Sequence, residues 1–346
     1  MLGTVWFCLV AWMVAVYVIL DGYDLGAGIV HLFVARSDDE RRQVLKSIGP
    51  FWDGNEVWLL AGGGTLYFAF PALYAASFSG FYLPLTMVLW LLMLRGIAIE
   101  FRSHVESPVW RPLWDAVFGG SSALLAIFFG VALGNVVRGV PLDSSGFFFL
   151  PLWTNFGIGG ELGILDWYTV VVGLTALAAL ILHGALWVAW KTDGLLEQRC
   201  RLLAVRAWWA AAALLVLLTV LSFEIQPQLG ASYAERPWGY VVPAIAVIAL
   251  VLVRMYVRRP TAAPFLASSV FIAAMLSSVA YGLYPYVLPA RPDPRFGLTI
   301  SSAAASSYGL RIGLAWWIPG MLLAAGYLIF TYRQFSGKVR ISGEGY

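Results

Sequence analysis

Charge is scarce in this sequence. Only 12% of its 346 residues are Asp, Glu, Lys or Arg, about half of the roughly 25% usual in soluble domains. Its 19 acids and 22 bases are too few to cover a globule of this length, which argues against a soluble enzyme. The net charge of +3 is small and scattered, so there is no nucleic-acid footprint. Cysteine is nearly absent. Cys8 and Cys200 lie far apart in apolar stretches and give neither a disulfide framework nor a metal-ligand spacing. There is no P-loop, no Rossmann fingerprint and no strong short-period repeat.

What is abundant is apolar surface. Hydrophobic residues make up 60% and aromatics 15%, with 16 Trp. That composition is a polytopic membrane protein. A spanning helix needs about 20 mostly apolar residues, and nine stretches qualify, near 3–34, 54–76, 80–101, 114–137, 163–190, 206–224, 239–254, 261–286 and 310–332. No stretch alternates as a β-barrel strand would, and the backbone must bond to itself in lipid, so the expected fold is an all-α bundle. The N-terminus has no basic leader and is read as a retained first span.

Orientation follows from Lys and Arg. Alternate loops and the tail hold Arg36, Arg41, Arg42 and Lys46, then Arg102 and Arg111, then Lys191, Arg199, Arg201 and Arg206, then Arg254, Arg258 and Arg259, then Arg333, Lys338 and Arg340. These are sixteen of the 22; the other side has Arg138, Arg236, Arg291, Arg295 and Arg311. The bias puts the N-terminus outside and the C-terminus in the cytoplasm, as nine spans require. Trp153, Trp167, Trp238, Tyr240 and Tyr332 sit near span ends as interfacial anchors.

Ionisable groups inside a membrane each need a reason. Span one carries Asp21 and Asp24, whose i, i+3 spacing puts them on one helical face, with His31 two turns further along. Twelve residues separate Asp24 from Arg36, or ~18 Å of helix, which favours burial if the helix continues. If it ends at Gly22, both acids are interfacial and solvated. Span two opens with Asp53, Asn55 and Glu56; Asp53 suits an N-cap and a relay equally. Span three holds Arg95 and ends near Glu100, and span four opens near Asp115. Arg95 is expected to neutralise one buried carboxylate. His31 and His183 fall in inner halves of spans, which leaves a bis-histidine haem site open, while His104 is in a loop. Gly22, Gly26 and Gly28 in span one, and Gly62, Gly63 and Gly64 in span two, suit close packing or local unwinding. Taken alone, these features also suit a proton-coupled secondary transporter or a structural scaffold.

A series of ordered motifs adds specificity. Asp21-Gly22-Tyr23-Asp24-Leu25-Gly26-Ala27-Gly28 resembles the first-helix motif of subunit II of cytochrome bd-type quinol oxidases. Phe51-Trp52-Asp53-Gly54-Asn55-Glu56-Val57-Trp58 is similar to the second motif of that family. Further resemblances are Tyr74–Tyr82, the Arg95 segment ending Phe101-Arg102-Ser103, Trp110-Arg111 with Trp114-Asp115, and Gly134-Asn135 followed by Gly139-Val140-Pro141. They cover the first 145 residues or so; the later half is similar in span count.

The resemblance implies a single membrane domain over 1–346. It would hold two four-helix bundles, about 1–137 and 163–286, and one peripheral ninth helix at 310–332. It implies pairing with a haem-bearing subunit I that carries two haems b and haem d, with quinol and dioxygen as substrates of the complex. The setting is a bacterial-type cytoplasmic membrane. It implies no haem on this chain, and leaves room for a structural quinone or lipid and for small accessory subunits. It points to a proton path through Asp24 and Asp53 with Asp21 beside them. Glu56, Arg95, Glu100 and Asp115 are in support.

Overall fold

A computed structural model describes residues 1–339. Arg340, counted above among the basic residues of the tail, lies outside them. The first helix, α1 (Leu2–Val34), runs 33 residues without a break. At 1.5 Å per residue that is ~50 Å, longer than a ~30 Å hydrocarbon core. The reading in which it stops at Gly22 is therefore overturned, and every residue from Asp21 to His31 is buried. The amphipathic α2 (Asp38–Ile48) follows, capped by the Ser37 hydroxyl, which accepts from the Glu40 N–H. Asp38, Asp39 and Glu40 in its first turn complement the helix dipole.

The expected span 54–76 is two helices, α3 (Trp52–Ala69) and α4 (Pro71–Gly80). Pro71 has no N–H to continue the ladder and pushes Phe70 out of the helical region, so the chain breaks there. Then come α5 (Tyr82–Phe101) and α6 (Trp110–Arg138). After an irregular segment, α7 (Trp167–Lys191) starts on a reciprocal cap: Thr169 N–H donates to Asp166, and Asp166 N–H to the Thr169 hydroxyl. The stretch around Arg199, Arg201 and Arg206 was expected as a loop. It is instead the first turns of α8 (Gly194–Ile225). Next are α9 (Pro227–Glu235), α10 (Val241–Tyr256), α11 (Ala263–Leu283) and α12 (Ser307–Gln334). Between the last two, β1 (Tyr286–Leu288) pairs antiparallel with β2 (Leu298–Thr299).

Among the described residues, eight helices are long and apolar enough to cross a membrane. Helix α3 is less apolar, because Asp53, Asn55 and Glu56 open it, and is not one of the eight. Helix α1 lies at the centre, packed on α3, α6, α7 and α11. Its crossing with α7 is close. A side chain on Gly26 would run into the backbone of Leu180 and Gly184, and one on Gly184 into that of Gly26. The glycines of α1 thus serve packing. Gly63 and Gly64 of α3 face open space. At the end holding residues 135–166, a buried Arg138 bonds Asp166, Asn135 and the Gly163 carbonyl, fixing the segment between α6 and α7.

Candidate functional site

Two polar groups lie along the buried half of α1. The first is built on α1, α3 and α5. Arg95, fully buried, donates to Asp21 at 2.6 Å and to Glu56 at 2.8 Å. It therefore meets two carboxylates, not the one expected. Asp21 is sealed from the surface, whereas a quarter of the Glu56 side chain remains exposed. One turn on, Asp24 is fully buried and accepts from the Asn55 amide at 2.7 Å. The same amide donates to the Tyr23 hydroxyl at 2.7 Å, which bonds the Tyr332 hydroxyl of α12 at 2.6 Å. Charge counting shows what the group can do. Three carboxyls against one guanidinium are neutral only when two of the carboxyls carry protons. In a low-dielectric bundle such a site can take up and release protons.

Asp53 does not join this group. It is exposed on the first turn of α3, whose N-cap is Phe51 with no side-chain cap, so the capping role is overturned. Glu100 is partly buried near the end of α5, more than a turn beyond Arg95.

Asp115 belongs to the second group, at the Val34 end of α1. Its carboxylate is nearly sealed and accepts from Arg41 of α2 at 2.5 Å and from Arg102, just after α5, at 2.6 Å. The His31 Nε2 lies 3.5 Å from it. Arg102 also reaches Asp38 at 2.8 Å, and Arg111 reaches Asp38 at 2.9 Å.

The histidines do not suit a shared iron. His183 is held at Nδ1 by the Ser268 hydroxyl at 2.7 Å and at Nε2 by the Ile19 carbonyl at 3.0 Å. His31 bonds the Gly28 carbonyl through Nδ1 and turns Nε2 to Asp115, and His104 sits on an exposed turn against the Glu100 carbonyl. Among the described residues no three His, Cys, Asp or Glu side chains cluster as metal ligands.

The structure thus brings together Asp21, Asp24, Glu56 and Arg95, and sets Asp53, Glu100 and Asp115 apart. Sequence reading missed Asn55 as the partner of Asp24, although it stands inside the second motif. It also took Tyr332 for an interfacial anchor, whereas its hydroxyl ties α12 to Tyr23. Arg41 and Arg102 were read as loop charges and are instead the counter-charges of Asp115, while Asp38, which the sequence reading did not single out, bridges Arg102 and Arg111.

Known proteins resemble this chain over nearly its whole length. A family model described as cytochrome bd terminal oxidase subunit II matches residues 2–335. "Probable cytochrome oxidase subunit 2" of Haemophilus influenzae is 29% identical over 361 residues, covering 97% of this chain and 94% of that protein. "Cytochrome bd-I ubiquinol oxidase subunit 2" of Escherichia coli K12 is 29% identical over 367 residues, with the same coverage. "Cytochrome bd ubiquinol oxidase subunit 2" of Bacillus subtilis is 28% identical over 342 residues, covering 98% and 97%. The fold is shared with a chain of the bd oxidase of Geobacillus thermodenitrificans, at a TM-score of 0.77 and 18% identity over 96% of this chain and 98% of that one. With a match running nearly end to end, the chain belongs to the cytochrome bd terminal oxidase subunit II family.

Proposed function

We propose that this chain is the haem-free subunit of a quinol:dioxygen oxidoreductase in a bacterial cytoplasmic membrane. A subunit I partner would carry the two haems b, haem d and the quinol site. The present chain braces that partner and feeds it protons from the cytoplasm. In this reading the spans are nine, with α3 as the second, in two bundles, α1-α3-α5-α6 and α7-α8-α10-α11, with α12 outside them; the packing of α1 on α3 and α6, of α7 on α8 and of α10 on α11 supports it, with α1 and α7 meeting between the bundles. The sixteen-to-five split of basic residues supports a cytoplasmic C-terminus. The occupied nitrogens of His183 and the turned-in ring of His31 support a chain without iron ligands.

The observation that carries the proton role is the sealed pair Asp21 and Asp24, of which Asp21 is joined through Arg95 to Glu56 and Asp24 is held by Asn55. Such a group is costly in a membrane unless it works. Asp53, exposed on the adjacent helix turn, is the natural acid for the contact with the partner. Asp24→Asn in the assembled complex removes the titrating oxygen and keeps the Asn55 contact. Oxygen consumption should fall at least about tenfold, the low end for a positioned proton-transfer group being 10²-fold, while the reduced-minus-oxidised haem spectrum stays normal. Full turnover would remove the proton role.

A further inference from the structure

The proton reading leaves open where a proton enters, and His31 answers to that need. Tyr17, Asp21, Asp24, Gly28 and His31 are spaced 4, 3, 4 and 3 along α1, so they form one stripe. At Gly28, where the stripe has no side chain, the Ser122 hydroxyl of α6 lies against the bare backbone. Along this line the Tyr17 hydroxyl, Asp21 Oδ2, Asp24 Oδ1 and Ser122 Oγ are buried without a close hydrogen-bond partner among the described residues, and His31 Nε2 meets the Asp115 carboxylate at 3.5 Å. Buried polar atoms are nearly always paired. Four unpaired ones in one file, two of them oxygens of the Asp21 and Asp24 carboxyls, mark this line.

The file ends at a cavity. A space of about 520 Å³ opens between α2 and the start of α6, lined by Ser37, Asp38, Arg41, Glu106, Arg111 and Asp115. Asp115 forms its inner wall, and His31 lies behind that carboxylate. The geometry fixes the tautomer. The Gly28 carbonyl can only accept, so Nδ1 must carry the hydrogen in their 2.5 Å bond. In the neutral ring the basic lone pair is then on Nε2, which faces Asp115 at 3.5 Å. The charged groups across that carboxylate are Arg41 of α2 and Arg102 after α5, and the Phe118 ring of α6 covers the imidazole at 5.2 Å. A proton added at Nε2 would sit directly against the Asp115 carboxylate.

We infer that His31 is the proton-loading residue of the α1 stripe, taking protons at Nε2 from the cavity beside Asp115 and passing them towards Asp24. The Nε2 lone pair takes a proton from hydronium in the cavity, leaving water; the imidazolium then gives that proton up along the stripe, returning to the neutral ring and leaving the Asp24 carboxylate protonated. This rests on the proton role proposed above and names its inlet.

The test uses the two-subunit complex in membranes, with haem content read from the reduced-minus-oxidised spectrum and turnover from oxygen consumption. His31→Gln and His31→Ala should each slow turnover by about tenfold or more with haem intact. Added imidazole should restore His31→Ala. Pyrazole, a ring of the same shape that is not a base near neutral pH, should not. Full turnover in His31→Gln, or equal rescue by pyrazole, overturns the inference, as does loss of haem in both variants, which would make His31 structural. Asp24→Asn run alongside separates the two ideas. A fast Asp24→Asn removes the proton role itself, and a slow one with a fast His31→Gln removes only this inlet.

Discussion

Arg95 offers the sharpest test of how the buried group is held. In Arg95→Leu the guanidinium disappears, and the two carboxyl groups it bonds lose their shared donor and positive charge. Removing one partner of a buried pair costs about 3–5 kcal/mol, which lowers the folded fraction by a factor of about 10² to several thousand. Against a total stability of roughly 5–15 kcal/mol, that is enough to impair assembly. The two carboxylates do not share the cost equally. Asp21 is sealed, while Glu56 keeps a quarter of its side chain exposed. Most of the penalty therefore belongs to Asp21. The double variant Arg95→Leu/Asp21→Asn should recover most of the lost stability, and Arg95→Leu/Glu56→Gln little of it. The assay is the yield and melting temperature of the detergent-solubilised complex, followed by its haem absorbance. Equal recovery by the two double variants, or a wild-type melting temperature for Arg95→Leu alone, would refute the argument.

Two further predictions concern packing. Gly184→Val places a branched side chain against the backbone of Gly26. Overpacking of this kind costs about 1–3 kcal/mol or more, so the complex should melt lower, whereas Gly64→Val on the open side of α3 should leave the isolated chain's packing intact. Lys191 is buried at the end of α7, and its ammonium donates to the Phe335 carbonyl at 2.8 Å and lies over the rings of Phe51, Trp187 and Trp190 at 5.1–5.4 Å. Lys191→Met removes a charged hydrogen bond worth about 1.5–3 kcal/mol, so the segment after α12 should open about tenfold more often or beyond. Trypsin should then cut at Lys338, in that segment, faster than in the wild type, and an unchanged cutting rate would count against the anchoring.

Much of the fold was legible in the sequence because a membrane constrains it so strongly. Length and hydropathy located most of the long helices to within a few residues, and Asp21 and Asp24 could be put on one face from spacing alone. Where local breakers competed with hydropathy, the reading failed: Pro71 split a stretch whose apolar run continued across it. The helical start of α8 was hidden for the opposite reason, since Arg199 and Arg201 mark a helix end leaving the membrane as readily as a loop. Motif resemblance brought Asp53 and Asp115 into the same list as Asp24, and the list could not say which of them touch.

By itself the sequence determined a multi-span helical chain, its family, and a set of acids on α1 beside a single intramembrane Arg on α5. Which acid meets which base was decided only by the tertiary structure. Helix periodicity is a local property, but the rotation of one helix against another is set by packing. The bare backbones of Gly26 and Gly184 let α1 and α7 close together. With α1 turned as it is, Asp21 meets Arg95, Asp24 meets Asn55, and His31 ends behind Asp115.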